Sequence, residues 1–448
     1  MGEFLTMMMG SFREGTAESV SIGFFDLSFL IFVVSAVGYT GYLLKRSDKV
    51  WMSGFIALLI GLATMTLALG LRWYAAGIGR PPWTNLYESL VFFSWGVVVC
   101  YAVVEIKYHI KVIGAFLIPL VCMAMGLASL TGNKAITPLV PALQSLWLHF
   151  HVAGATIAYA MFIVAFGFAV LHLFRDRLNM PYFHLATAAF NLAVILAVTK
   201  LGVFLGRFEL TAAAQDMAGT LVKAQIPNSD PPQFYKMAIP GMGIFMALTF
   251  VLYIVSIVVS YRARNSQEPK DLQRSFFAQL FPTLLLTLVL IRLITISGKL
   301  TDDIGHTFTL AVNNYAFALV MFAWFFAVMA LVLHQVGDRL RLQLPDAKTL
   351  DNLTYKCIIV AFPILSYMLI SGAIWASQSW GRFWGWDPKE TAALVTWTIY
   401  LGYLHMRITK GWTGRRTAYI AVIGFVSVIF TYLGVNLVIS GLHSYASA

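Results

Sequence analysis

Charge is what this chain has least of: 11% of its 448 residues are Asp, Glu, Lys or Arg, against 59% that are hydrophobic. A water-exposed globule of that size needs far more ionisable surface, so a soluble fold is excluded. Cysteine is almost as scarce. Cys100, Cys122 and Cys357 lie within or at the edge of apolar segments and form no Cys-x-x-Cys pair, so buried structural thiols are expected and any thiol redox step must come from another protein. The first twenty residues lack a basic n-region and a small-residue cleavage site, which speaks against a removable signal peptide or a transit peptide and leaves targeting to the first apolar span. There is no internal repeat, low-complexity tract or Gly-rich phosphate loop.

What the chain has instead is long continuous apolar runs. They predict an all-α, polytopic membrane protein with about twelve spans, near 22–44, 51–71, 86–105, 112–130, 146–174, 184–206, 239–261, 276–297, 309–335, 354–378, 390–409 and 416–440. Hydrocarbon offers no water to backbone N–H and C=O groups, and the runs are continuous rather than alternating, so helices are expected and a β-barrel is not. Lys and Arg concentrate in alternate connections, such as Lys45 to Lys49, Arg262 to Arg274 and Arg407 to Arg416. The positive-inside rule turns these toward the cytoplasm and leaves both termini outside. The net charge of +11 is mostly this inside excess facing an anionic leaflet, and gives a nucleic-acid partner little support.

One segment breaks the apolar pattern. Trp375-Ala-Ser-Gln-Ser-Trp380-Gly-Arg-Phe-Trp384-Gly-Trp386-Asp387-Pro388-Lys389-Glu390-Thr391 sets aromatic faces and charge between two spans, on the outer side. Indoles favour the headgroup level, so membrane anchoring is one reading. The other is a surface for a flat, apolar ligand with an anionic edge, because the Trp residues are interleaved with Gly, Arg382 and a charged run that opens a helix. Asp387 is expected to start that helix with Pro388 in its first turn.

The topology sorts the nine His by depth. His405 falls in a span toward its cytoplasmic end, 18 residues beyond Asp387 and so roughly 27 Å away along a helix. His443 emerges at the outer end of the last span, level with the Trp segment, and His151 begins a span from that same side. Two imidazoles from different helices, opposed across an aromatic floor, are candidates for axial ligation of an iron. Zinc is a weaker candidate, since neighbouring Cys and His at ligand spacing are missing. His149, two residues before His151, points away from it on a helix.

Trp380-Gly-x-x-Trp384-x-Trp386-Asp387-Pro388-Lys389-Glu390-Thr391, followed by Thr396-Trp397 and Tyr403-Leu404-His405, resembles the WWD-domain haem-handling proteins, and within them the CcsA/ResC family of System II cytochrome c biogenesis. Leu350-Asp351-Asn352-Leu353, Ser371-Gly372-Ala373-x-Trp375-Ala376 and Gly441-Leu442-His443-Ser444-Tyr445 agree as well. So do Thr84-Asn85-Leu86-Tyr87-Glu88-Ser89-Leu90 and Pro141-Ala142-Leu143-Gln144-Ser145 leading to His151.

The resemblance implies a cytochrome c synthase (haem lyase) component of a bacterial cytoplasmic membrane. Such a protein takes haem b, presents it at the outer face and supports its thioether attachment to the Cys-x-x-Cys-His of apocytochrome c. It implies axial roles for His151 and His443, a more cytoplasmic haem-entry role for His405, and a floor built from Trp380, Phe383, Trp384 and Trp386. Arg382 or Lys389 is expected to pair a haem propionate, unless each contacts a headgroup or pairs Asp387 or Glu390. A CcsB/ResB-like membrane subunit and a thioredoxin-like reductant are the implied partners. Alternatives are the System I relatives CcmC and CcmF, which also carry a WWD string, a small-solute carrier, and a structural subunit with an aromatic belt.

Three regions are expected: 1–175 with His151, an inserted four-helix region at 176–349 that the ordinary family member lacks, and 350–448 with the WWD segment. The insertion carries His184, His306 and His334 near span ends and Arg292 in an apolar run. A docking surface or scaffold is its expected role, and 207–238 is expected to be a solvated outer loop.

Overall fold

The computed structural model describes residues 2–77, 79–129, 134–136, 144–176, 180–199, 209–211, 213–215, 221–223, 236–238, 242–266, 268–296, 300–301, 307–308, 320, 323–331, 341 and 344–434. His306, His334 and His443, together with the side chain of Arg292, lie outside the described residues.

The chain forms the polytopic helical membrane fold that its apolar runs predict. Its named helices are α1 (Gly2–Glu14), α2 (Ala17–Lys45), α3 (Asp48–Ala76), α4 (Leu86–Tyr108), α5 (Gly114–Ser129), α6 (Leu146–Arg175), α7 (Met180–Thr199), α8 (Met242–Ala263), α9 (Pro269–Ile296), α10 (Ala347–Trp380), α11 (Pro388–Thr409) and α12 (Arg415–Ile429). Among the described residues, eight helices are long and apolar enough to cross a membrane. Helix α1, basic at its end with Arg13, has no counterpart among the expected spans. The segment 207–238 is not the plain loop expected, since Glu209–Thr211 pairs antiparallel with Lys236–Ala238 and Ala213–Gln215 with Leu221–Lys223.

Two compact units emerge, one of residues 1–177 with 338–448 and the other of 178–337. In the first, small residues bring helices close, as membrane helix packing requires where no hydrophobic drive separates lipid from protein. A Cβ on Gly38 of α2 would sit 2.6 Å from the Gly54 Cα of α3, and beside this crossing Ser35 Oγ donates to the Gly54 carbonyl at 2.8 Å. Helices α6 and α10 run antiparallel: His151 meets Met368 and His172 meets Ala347. Ring stacking ties α6 to the last helices, Phe162 on Tyr400 at 3.6 Å and Phe166 on Phe425 at 3.8 Å.

In the second unit, α7 packs along α8 and α8 along α9, joined by buried hydroxyl and amide side chains.

Candidate functional site

The site lies at one end of the first unit, where α6 begins, α10 ends and α11 starts. Ser145 caps α6 by accepting from Trp147 N at 3.3 Å, and its hydroxyl also donates to Gln378 Oε1 of α10 at 2.9 Å. That pin registers the two helices. Between them His151 Nδ1 is 2.8 Å from the Met368 carbonyl oxygen. A carbonyl can only accept, so Nδ1 carries a proton, as it does in the neutral tautomer a metal ligand needs.

Gly372 lets the ring lie there. A Cβ on Gly372 would stand 2.6 Å from His151 Nδ1 and 2.8 Å from its Cε1, closer than packed atoms approach.

His151 lines a cavity of about 180 Å3, walled by Trp83, Trp375, Phe383, Trp384, Lys389 and Tyr432 among others. Trp375 is buried, its ring 6.0 Å from that of His151, and Trp380 packs behind it at 5.0 Å. Tyr432, in the π-helical turn Phe430–Gly434 that follows α12, stacks on Phe93 at 5.0 Å and donates to Ser89 Oγ at 3.0 Å.

Another part of the lining, Trp83 to Asn85, is held from behind. Thr84 N and Oγ1 donate to Glu88 Oε2 at 2.9 and 2.8 Å, and Arg72 Nε meets Glu88 Oε1 at 2.8 Å in a buried ion pair.

The Trp-rich loop is shaped by its own sequence. Asp387 caps α11 through Lys389 N at 3.2 Å with Pro388 behind it, as expected. Glu390 folds back so that one oxygen accepts from Gly385 N at 2.8 Å and Asp387 N at 3.2 Å, completing a capping box. Trp386 adopts the left-handed φ of 56°, a conformation that costs a bulky residue about 1–3 kcal/mol and persists only where neighbours impose it.

Two of the loop's aromatics are largely exposed, Phe383 at 63% and Trp386 at 70%, with Trp386 edge-on to Trp384. Arg382 is also exposed, and its guanidinium covers Gly385, where a Cβ would sit 2.8 Å away. Lys389 is half-buried on the cavity wall, and burial pushes its ammonium down to about 8 against the pull of Asp387.

Of the residues expected from sequence, the structure brings His151, Phe383, Trp384 and Lys389 to this cavity, with Trp380 behind it. Trp386 and Arg382 stand on the loop outside the lining. His149 turns away and meets Trp83 edge-on at 5.9 Å. His405 lies exposed on α11, 3.5 Å from Thr409 Oγ1. Trp83, Gly372, Tyr432 and Glu390 were missed as wall or positioning residues, although Gly372 lies within a motif quoted above and Trp83 just before another. Among the described residues no three His, Cys, Asp or Glu side chains gather into a metal cage, so the tetrahedral alternative has no donor set there.

The family described as cytochrome C assembly protein matches residues 83–222 and 238–443. The chain is similar to the cytochrome c biogenesis protein CcsA of Guillardia theta, 28% identical over 424 residues that cover 94% of each chain. CcsA of Synechocystis sp. is 30% identical over 427 residues, 94% of this chain and 96% of the relative. CcsA of Trichormus variabilis is 30% identical over 424 residues, 94% and 95%. Coverage that complete leaves no room for 176–349 to be absent from these relatives, so relative to them the segment is shared rather than inserted.

Proposed function

The chain belongs to the cytochrome c assembly protein family, and from that premise we propose that it acts in cytochrome c biogenesis by holding haem b, its substrate, while the haem is joined to apocytochrome c. The observation that carries this reading is His151, its Nδ1–H anchored on the Met368 carbonyl at 2.8 Å beside an aromatic cavity next to the Trp-rich loop.

A cavity of about 180 Å3 is smaller than the roughly 300–1,000 Å3 typical of pockets that enclose a drug-sized ligand. In this reading the porphyrin is therefore held at the mouth, against the exposed ring of Phe383 and the indole of Trp384, with an edge left open. An open edge is what the chemistry requires. Each substrate thiol adds across a vinyl group: a C–S bond forms, the thiol proton ends on the outer vinyl carbon, and no external electrons are consumed. The protein's contribution is position, since no side-chain nucleophile is needed.

His151 supplies one axial imidazole. His443, assigned by the family resemblance, supplies the other. Lys389 is the better partner for a propionate because it lines the cavity, whereas Arg382 is turned onto Gly385. His405, exposed on α11, is open to haem arriving within the bilayer or carried by a CcsB/ResB-like subunit. A thioredoxin-like protein keeps the substrate thiols reduced, and the Trp-rich loop faces the outside of a bacterial cytoplasmic membrane.

The test is reconstitution in membranes of this chain, a ResB-like partner and a Cys-x-x-Cys-His reporter under reducing conditions. Covalently haem-stained reporter on a denaturing gel, lost when either Cys becomes Ser, is the expected result. Equal staining with and without this chain would overturn the proposal.

A further inference from the structure

Polar side chains in the second unit repeat at helical spacing on three helices. Helix α7 carries His184, Thr187 and Asn191, α8 carries Thr249, Tyr253, Ser256 and Ser260, and α9 carries Ser275, Gln279 and Thr283, all buried. They join across the helices. His184 Nδ1 lies 2.7 Å from Ser275 Oγ, Gln279 Nε2 donates to Thr187 Oγ1, Asn191 Nδ2 donates to the Tyr253 hydroxyl at 3.2 Å, and that hydroxyl lies 3.2 Å from Thr283 Oγ1. Further on, Trp324 Nε1 donates to Thr287 Oγ1 at 2.8 Å. From Ser275 to Thr287 the column climbs roughly 18 Å, more than half of a hydrocarbon core about 30 Å thick.

Hydrogen bonding between membrane helices accounts for the paired atoms. It does not account for the rest. Asn191 Oδ1, Gln279 Oε1, Ser256 Oγ and Ser260 Oγ have no hydrogen-bond partner among the described residues, although these four side chains are at most 1% exposed.

The first three fall on two successive turns. Asn191 bonds Tyr253 at the level of Thr283, whereas Gln279, four residues before Thr283, bonds Thr187, and Ser256 lies three residues beyond Tyr253, so neighbouring members are about one turn apart. Reversing either amide replaces an unmet oxygen with an unmet nitrogen, so the demand does not depend on amide orientation. Left dry, each such group carries the desolvation penalty of an unmet polar atom, in a setting where lipid supplies nothing.

We propose that the unit of residues 178–337 binds ordered water inside the membrane between these two turns. The water donates to Asn191 Oδ1 and Gln279 Oε1 and shares a hydrogen bond with Ser256. A site of this kind, polar and offering two to four partners, is what a buried water requires. Ser260 and the His184–Ser275 pair continue the polar column toward one end of the three helices and give water its way in. The proposal does not rest on the haem reading.

Hydroxyl radicals made by radiolysis of bound water mark residues in contact with it, and the intact protein in lipid nanodiscs is the sample. Tyr253, itself 0% exposed, is expected to be oxidised about tenfold faster than Met65, equally buried but on α3, because packed protein excludes radicals from elsewhere. Ser256→Val fills the water's space and is expected to bring Tyr253 down to the Met65 rate while thermal unfolding stays cooperative. Tyr253 as silent as Met65 in the unaltered protein would overturn the proposal. So would Tyr253 oxidation unchanged in a folded Ser256→Val protein, and if that variant does not fold, the unaltered protein still decides.

Discussion

His151 and His172 stand 21 residues apart on α6, roughly 31 Å along the axis, and each sets Nδ1 at 2.8 Å from a backbone carbonyl of α10, that of Met368 or of Ala347. By that bond the two imidazoles are the same. They differ in what surrounds them. His151 is half-buried on the wall of an aromatic cavity, with a Trp-rich loop at its mouth. His172 is 3% exposed, its Nε2 has no hydrogen-bond partner among the described residues, and Gly414 closes over it.

Around His172 the chain is cross-braced by charge. Asp351 holds Arg407 and accepts from Gly414 N and Thr417 Oγ1 at 3.2 and 3.0 Å, while Asp176 holds Arg415 at 2.6 Å. The same anchor therefore stands in two different surroundings. In the proposed reading the anchor fixes the ring, and access to a cavity opens it to haem.

The largest test of this difference is on product. His151→Ala should lower covalent haem attachment about 100-fold, with recovery on added imidazole, because losing a group that holds or orients a metal typically costs 10–100-fold. His172→Ala should leave attachment nearly unchanged, and the reverse order would break the comparison.

Gly372→Ala comes next. The added carbon displaces the His151 ring without removing it, and a displacement of about 1 Å costs up to about 100-fold where positioning is the catalysis. A smaller loss than that of His151→Ala is expected, again relieved by imidazole, read from the haem-stained reporter.

His172→Ala should show itself in stability instead, lowering it by about 2 kcal/mol through the lost hydrogen bond and the space left in the packing. Unfolding of the purified protein in mixed micelles measures this.

The smallest effect is pH dependence at Lys389. Its ammonium sits near 8, so it is charged below that pH and neutral above, and attraction for a propionate is present at pH 7 and fades as pH rises through 8 to 9. A bound carboxylate moves this window upward. Haem titrations followed at the Soret band should weaken over that range, and Lys389→Gln should flatten the dependence.

Much of this was legible in sequence because it is local. Apolar runs set the helices, and α10, expected over 354–378, spans 347–380. Asp387 and Pro388 announce the start of α11 through capping chemistry that acts within four residues. The His151 anchor was not legible, since Met368 is 217 residues away and a backbone carbonyl leaves no side-chain signature. Gly372 was visible only as a motif letter, and its role as the space for an imidazole needs the antiparallel register of α6 on α10. The walls supplied by Trp83 and Tyr432 likewise depend on how α4 and α12 pack. The reading of 176–349 as an insertion came from an expected family length rather than from any residue, and the relatives compared above match this chain in length.

The most direct measurement is the visible spectrum of the protein purified with its partner from haem-replete cells, beside that of His151→Ala. The account predicts a Soret band from bound haem in the unaltered protein, weakened or shifted in His151→Ala and restored by imidazole. A Soret band of equal position and strength in both proteins, indifferent to imidazole, would contradict it.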